Sequence, residues 1–110
     1  HIYTGGPMGG MYSTAPDLLR FASALRAERL VSLETLERMR TPKPELGAPD
    51  YGFGVMLWRA PGVWGHSGRL PGADADLEFY DHDYVGIVLA NVDSVNEPVL
   101  RMLRALFHRR

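Results

Sequence analysis

Apolar residues recur every three or four positions in the first third of the chain, which is typical of amphipathic helices. The pattern predicts a first helix over residues 15–27, begun by a capping box between Thr14 and Asp17 with Pro16 in the first turn. Four apolar residues share its inner face: Leu18, Phe21, Ala22 and Leu25. Because Ser and Thr are enriched where orphan N–H groups need an acceptor, we interpret Ser13 and Thr14 as caps and not as nucleophiles.

A second helix is predicted to begin after Ser32, which stands in an N-cap position ahead of an acidic first turn. Three residues of this helix are expected to face inward: Leu33, Leu36 and Met39. Pro42 and Pro44 end the helix, because proline lacks a backbone donor and clashes with the preceding turn. Residues 41–50 then form a polar, proline-punctuated connection that we expect on the surface.

The pattern changes to strand periodicity after residue 50, with short apolar runs separated by glycine and proline. Strands are predicted over residues 51–58, 63–66, 74–80 and 84–90. In the third strand two sets of side chains alternate: Ala75, Leu77 and Phe79 against Asp74, Asp76 and Glu78. This alternation predicts one core face and one solvent face for that strand.

The last strand, residues 84–90, is apolar on both faces, which is typical of a central strand covered above and below. The strands available in the chain leave its second edge without an obvious partner, so we infer that part of the sheet lies outside these residues. Residues 81–83, between the last two strands, are expected to form a tight hairpin loop.

A final helix opens at Glu97 and Pro98 and should lie on the sheet through an apolar stripe. The stripe consists of Val99, Leu100, Leu103, Leu106 and Phe107. Basic residues are expected elsewhere on this helix: Arg101, Arg104, His108, Arg109 and Arg110. They complement the negative end of the helix dipole, and we prefer this structural account to a patch for an anionic partner.

Composition argues against several classes of function. A formal net charge of -1 argues against general nucleic-acid binding. The chain has no cysteine, which excludes disulfides, thiolate metal sites and a cysteine nucleophile. The glycine-rich residues 5–10 lack the lysine and the spacing of a phosphate-binding loop. His82 lies between two aspartates, but adjacent residues seldom converge on one ion, so we expect no metal and no cofactor.

Candidate chemistry concentrates in the Gly-His-Ser-Gly motif at residues 65–68, where two glycines flank two polar side chains. Two interpretations stay open: a glycine-kinked strand end with local hydrogen bonds, and a place where another molecule approaches the main chain. His66 and Ser67 point to opposite faces of a strand, so they cannot form a catalytic couple. A self-contained triad is disfavoured, because three side chains would have to converge from adjacent strands and turns. Its candidate members are Ser67, His82, and Asp76 or Asp93.

Four blocks of the sequence follow one another in a specific order and spacing. They are residues 9–21, Tyr-Gly-Phe-Gly at 51–54, Gly-His-Ser-Gly at 65–68, and residues 86–91. In this order they resemble the C-terminal part of the serine β-lactamase-like hydrolases, the family of class C β-lactamases, DD-peptidases and esterases. The match covers almost the whole chain.

The resemblance implies an α+β fold like that of penicillin-binding proteins. An antiparallel sheet, with about four strands in this chain, would be flanked by helices. The N-terminal helices would precede the strands, and a C-terminal helix would pack on the sheet. Residues 1–110 would then be a single partial domain, the C-terminal fragment of a β-lactamase-like domain. Residues 84–90 would lie in the middle of a five-stranded sheet completed by N-terminal strands.

In this family a Lys-Thr-Gly or His-x-Gly strand segment forms one wall of the active site, and residues 66–68 look like its counterpart. The resemblance implies that His66 supplies a polar or cationic group near the substrate carboxylate or the shared proton network. Ser67 would hydrogen-bond the substrate and Gly68 would give clearance. The backbone N–H of Arg69 would be one donor of the oxyanion hole.

The nucleophile motif of the family, Ser-x-x-Lys, and its Tyr-x-Asn loop are both absent from residues 1–110. No catalytic residue is therefore expected in this chain, and the nucleophile should lie upstream. The resemblance implies part of a serine hydrolase that acts by acyl transfer on a β-lactam, a peptide or an ester, with this chain inactive by itself. The alternative is a non-catalytic binding or assembly module with the same fold.

The partners implied by the resemblance are the N-terminal remainder of the domain and a small-molecule or peptidoglycan-like substrate of the full-length protein. No nucleic acid is expected. A bare apolar strand edge recruits other strands readily, so homo-oligomers or a strand swap are a further expectation. The sequence does not reveal a compartment, although the family is commonly exported in bacteria.

Overall fold

The computed structural model describes residues 5–107, except for the side chains of residues 58–60. Two helices precede four consecutive strands, and a third helix follows them. The elements are α1 (Ala15–Arg26), α2 (Leu33–Met39), β1 (Met56–Ala60), β2 (Val63–Leu70), β3 (Ala73–Phe79), β4 (Val85–Ala90) and α3 (Glu97–Phe107). Single 3-10 turns occupy Pro44–Leu46 and Asp81–Asp83. The predicted α+β architecture is therefore confirmed.

Both N-terminal helices begin where their caps predict. The Thr14 hydroxyl accepts a hydrogen bond from the Asp17 amide at 3.3 Å, and the Ser32 hydroxyl accepts one from the Thr35 amide at 3.2 Å. These bonds satisfy N–H groups that have no partner inside the helix. The predictions of two helix starts are confirmed.

Fewer side chains of these two helices face the core than predicted. Ala22, Leu25 and Leu36 are buried, but Phe21 and Leu33, which were expected to face inward, are 47% and 53% exposed. Successive helical residues are separated by about 100°, so a contact centred on Ala22 and Leu25 leaves Phe21 to one side. The prediction was wrong for these two side chains.

The four strands form one antiparallel sheet in the order β1-β2-β3-β4. The register of β2 with β3 is continuous from Trp64 opposite Phe79 to Leu70 opposite Ala73. The pairing of β1 with β2 is shorter and contains an irregularity between Met56 and Ala60. Consecutive strands are thus neighbours, as short connections favour.

The first predicted strand was wrong over its initial half, because residues 51–55 form a loop. Gly54 has a positive φ of 74°, a conformation that glycine adopts without steric cost. The Gly52 amide donates to the Val55 carbonyl, and the Phe53 amide donates to the Met39 carbonyl, each at 2.9 Å. These bonds hold the loop against the end of α2, so β1 begins only at Met56.

The hydrophobic core lies between one face of the sheet and the helices α1 and α2. Its buried members are Ala22, Leu25, Leu36, Val55, Trp64 and Phe79. The rings of Trp64 and Phe79 stack at 3.8 Å between centroids, as expected for directly opposite residues on neighbouring strands. Leu77, on the same face of β3, packs against this cluster.

The acidic face of β3 is buried, which corrects the prediction that it faces solvent. Asp74, Asp76 and Glu78 are each 2% exposed or less. The region around α3 supplies their partners: Asn96 bonds Asp74 and Asp76, and Arg104 bonds Glu78. Buried carboxylates are tolerated when they are paired in this way. The side chains of β3 therefore alternate between two faces of the sheet that are both covered by helices or by the segment before α3.

The C-terminal helix α3 packs on this acidic face through Leu100, which is fully buried. The predicted apolar stripe was wrong for Val99 and Leu106, which are exposed. It was also wrong for Arg104, which lies one turn after Leu100 and keeps only 14% of its side chain exposed. The helix therefore docks through polar as well as apolar contacts. The predicted basic residues His108, Arg109 and Arg110 lie outside the described residues.

Strand β4 is the last strand of the sheet and pairs with β3 alone among residues 5–107. Its side chains are mostly half-buried, and Leu89 is 42% exposed. Helices α1 and α3 both contact β4, so its two faces are partly covered, as its apolar sequence predicted. None of the described helices is long and apolar enough to cross a membrane.

Candidate functional site

Strand β2 extends beyond its neighbour β1. The ladder with β1 stops at Gly65, opposite Met56, whereas the ladder with β3 continues to Leu70. In the described part of the chain, residues 66–70 of β2 therefore have a strand partner on one side only. We call their other side the open edge of β2. The motif at residues 65–68 lies where the ladder with β1 ends.

Along β2, the backbone N–H and C=O groups of successive residues point alternately toward β3 and toward the open edge. In an antiparallel ladder the N–H and C=O of one residue point to the same side, and the side changes at each residue. The Tyr80 amide donates to the Tyr84 carbonyl at 2.9 Å, so the backbone groups of Tyr80 point toward β4 and those of Phe79 point toward β2. Trp64 lies opposite Phe79, so the backbone groups of Trp64 and of every second residue after it point toward β3. The N–H groups of Ser67 and Arg69 accordingly point to the open edge and away from β3.

The His66 ring is exposed and contacts two groups through its nitrogens. Its Nε2 lies 2.8 Å from the Tyr51 hydroxyl oxygen, and its Nδ1 lies 2.8 Å from the Ser67 carbonyl oxygen. The Tyr51 and His66 rings meet edge to face, with 5.9 Å between their centroids. Sequence reasoning assigned no role to Tyr51, although its Tyr-Gly-Phe-Gly block was noted. The only available signal was that block's place before β1.

The Ser67 side chain is half-buried on the sheet face opposite His66, as expected from strand alternation. Its hydroxyl donates to the Met56 sulfur at 3.6 Å. Asp76, the residue directly opposite Ser67, accepts instead from Asn96. His82 lies in the turn beyond the end of β3. The disfavoured triad is therefore not assembled in this structure.

The two glycines of the motif differ in what surrounds them. A Cβ on Gly65 would lie 2.0 Å from the Leu77 carbonyl oxygen, so packing between strands requires glycine there. A Cβ on Gly68 would meet no heavy atom within 4 Å among the described residues. The space beside Gly68 is therefore open.

Arg69 is held by a buried carboxylate on the neighbouring strand. Its Nε donates to Asp74 at 3.1 Å, and the Asn96 amide donates to the other Asp74 oxygen at 3.1 Å. Burial would raise the pKa of Asp74, but the Asn96 amide and the Arg69 guanidinium together outweigh burial and lower it. The guanidinium charge is thus paired on the α3 side of the sheet.

The turn after β2 is anchored by the segment before α3. The Gly72 amide donates to the Asp93 carboxylate, and the Asn96 side chain donates to the Val88 carbonyl at 3.0 Å. Together with the Asn96–Asp74 bond, these contacts tie residues 93–96 to two strands. These contacts therefore hold the backbone at the end of β2 in place.

Two cavities on the surface of the described residues lie away from the open edge. One cavity of about 260 Å³ lies between His82, Tyr84, Leu106 and Phe107. Another of about 230 Å³ lies beside Arg26, Arg40 and Trp64. Neither is lined by residues of the open edge. Within the described residues, no group of three or more histidines and carboxylates is arranged to hold a metal ion.

Comparison with known proteins identifies a family. Residues 2–109 match the family model described as Beta-lactamase. Searches of the curated proteins and of the solved structures found no match. The resemblance inferred from the four sequence blocks is thereby confirmed at the level of the family.

Proposed function

The chain belongs to the Beta-lactamase family, and on that premise we propose that it forms the strand wall of the active site in a serine hydrolase acting by acyl transfer. The proposed substrate is a β-lactam, a peptide or an ester. One observation carries the proposal: the N–H groups of Ser67 and Arg69 point to the open edge of β2, beside the exposed His66 ring.

Each wall residue receives a role that its geometry supports. The Arg69 N–H is proposed as one oxyanion-hole donor, because a donor on a paired, braced strand is already aimed before charge develops on the substrate. Ser67 is proposed to hydrogen-bond the substrate. His66 is proposed to supply a polar or cationic group near the substrate carboxylate or near the proton network shared by the active-site residues. Gly68 is proposed to give clearance, since the space around it is open.

The reactive alcohol is proposed to lie upstream of these residues. Ser67 donates to Met56, and no serine of the chain begins a Ser-x-x-Lys motif. The upstream polypeptide would also supply the strand neighbour of β4, which has an unpaired second edge within residues 5–107. A second copy of the chain is the alternative partner for that edge.

The test measures acyl transfer with and without the upstream polypeptide. The chain is assayed with nitrocefin and a p-nitrophenyl ester, alone and after expression together with the sequence that precedes it in its gene. We expect no turnover alone, and a mass increase from an acyl-enzyme in the combined protein. Turnover by the chain alone that His66→Ala abolishes would refute the proposal. Substrate binding by the combined protein without acylation would support a non-catalytic module instead.

A further inference from the structure

We propose that the cavity of about 230 Å³ beside Arg26 and Arg40 binds a small oxyanion, that is, the carboxylate or phosphate group of a small molecule. Its wall combines the ends of α1 and α2 with Trp64 of β2 and the turn at residues 80–83. We call this cavity the arginine pocket. It lies away from the open edge of β2, so the inference is independent of the proposed acyl-transfer function.

The Arg26 guanidinium has unused capacity to donate hydrogen bonds. Its side chain is only 20% exposed, and its Nη2 donates to the Tyr80 carbonyl at 2.8 Å. Its Nη1 is buried and has no hydrogen-bond partner among the described residues. The Asp83 carboxylate lies 3.6 Å from Nη1, beyond hydrogen-bond distance. Because a guanidinium usually makes paired bonds to a carboxylate or a phosphate, Arg26 is short of one such partner.

The positive charge of the two arginines is incompletely compensated. Burial lowers the pKa of Arg26, the Asp83 carboxylate opposes this change, and the charge of Arg40 lowers the pKa further. The Asp83 side chain is 96% exposed and the Glu37 side chain, which accepts from Arg40, is 61% exposed. Asp81, on the same turn as Asp83, is exposed as well. Water screens these carboxylates, so an oxyanion inside the pocket would compete with weak ion pairs.

Aromatic rings hold the two guanidiniums without using their N–H donors. The guanidinium carbon of Arg40 lies 4.9 Å from the centre of the Trp64 ring, and that of Arg26 lies 5.2 Å from the centre of the Phe79 ring. The two rings stack on each other at 3.8 Å. Stacking occupies the face of a guanidinium and leaves its edge available for oxygen acceptors. The arrangement therefore favours an oxyanion over a metal cation or an apolar ligand.

The size of the arginine pocket restricts its ligand to a small group. Pockets for drug-sized molecules have volumes of about 300–1,000 Å³. At about 230 Å³ the arginine pocket is below that range, and one part of its wall is charged. A single carboxylate or phosphate group, bonded by one guanidinium or by both, matches this volume and this charge.

A titration followed by nuclear magnetic resonance tests the arginine pocket. Proton–nitrogen spectra of the 110-residue chain are recorded with increasing sodium phosphate and, separately, with increasing sodium acetate. Sodium chloride is withdrawn in step, so that the ionic strength stays constant. We expect saturable shifts of the Nε–H signals of Arg26 and Arg40. Tighter binding of phosphate would identify a phosphate ligand, and tighter binding of acetate would identify a carboxylate ligand.

Three variants separate the pocket from general attraction of anions. Arg40→Gln should weaken binding about tenfold, because it removes one of two charged donors. Arg38→Gln, at an exposed position of the same helix, is the matched control and should leave the affinity unchanged. Asp83→Asn should strengthen binding roughly two- to fivefold, because it removes the carboxylate that competes for Arg26.

Two results would overturn the proposal: no saturable shift at either arginine with both anions, or an unchanged affinity in folded Arg40→Gln. The first result needs no variant, so it decides the question even if Arg40→Gln fails to fold. Either result would mean that Arg26 and Arg40 only complement the negative ends of the α1 and α2 dipoles.

Discussion

The Glu78 carboxylate and the Arg104 guanidinium meet between β3 and α3 through two hydrogen bonds. One joins Nε to a carboxylate oxygen at 2.9 Å, and the other joins Nη2 to the second oxygen at 2.6 Å. The bond with Glu78 outweighs desolvation and raises the pKa of Arg104. This bidentate pair anchors α3 on the sheet face where the Glu78 carboxylate is buried.

Replacing Arg104 by methionine should destabilise the chain strongly. Glu78 would keep its buried position without its guanidinium partner, at a cost of about 3 kcal/mol in the free energy of unfolding. Urea denaturation followed by circular dichroism measures the change. Arg101→Met, on the exposed side of the same helix, is the matched control and should stay within about 0.5 kcal/mol. Equal effects of the two substitutions would mean that the pair does not stabilise the docking of α3.

The Asp74 carboxylate should give the stability of the chain an acid-dependent component. Its pKa is lowered in the folded chain, below an unfolded value of about 3.9, so the folded state binds fewer protons at this site. The stabilisation is complete above about pH 4 and is lost as the pH falls through the folded pKa. Urea midpoints measured between about pH 6 and pH 2.5 should therefore fall less steeply for Asp74→Asn than for the unmodified chain.

Glu45→Gln, in an exposed turn, serves as the control for this titration. Its profile should parallel that of the unmodified chain. If the urea midpoints of Asp74→Asn fall with pH as steeply as those of the unmodified chain, ionised Asp74 does not stabilise the folded state.

The two glycines of the motif should respond differently to alanine. Gly65→Ala places a methyl group against the Leu77 backbone and should cost about 1–3 kcal/mol in stability. Gly68→Ala meets no neighbour and should stay within about 0.5 kcal/mol. Thermal denaturation of both variants provides the comparison. In the combined protein, Gly68→Ala should nevertheless slow acylation if the space beside it admits substrate, and normal acylation would contradict the proposed clearance.

The unpaired edge of β4 should make the isolated chain associate with itself. An exposed strand edge bordered by apolar side chains such as Leu89 favours pairing with another strand. Sedimentation velocity should show association that increases with concentration, and Leu89→Lys should shift the chain toward monomer. Arg101→Lys, on α3, should behave like the unmodified chain. A monodisperse monomer at high concentration would argue against this edge as a pairing surface.

Local chemistry made the helices and most strands predictable. Thr14 and Ser32 cap helices through bonds to residues three positions away, so short stretches of sequence contain the information. The loop at residues 51–55 was missed, because its bonds reach to the Met39 carbonyl at the end of α2. Alternating apolar residues favour a strand, but a tertiary contact can override that preference.

In the candidate site too, some residues could be recognised from the sequence and others only from the structure. The motif at residues 65–68 was recognisable from its residue types and from the blocks around it. Its partner Tyr51 was not, because the two residues are 15 positions apart and meet only when the loop before β1 folds against β2. The direction of the Ser67 and Arg69 amides likewise depends on strand register, which pairing alone determines.

By itself, the amino-acid sequence determined the family, the order of helices and strands, and the strand that carries the motif. These features depend on residue type and on spacing along the chain. Only the tertiary structure decided that Asp74, Asp76 and Glu78 are buried, because their burial requires donors from Asn96 and Arg104. An acidic strand face has the same sequence pattern whether water or a helix covers it. The difference is made by distant donors that only the folded chain brings within hydrogen-bonding distance.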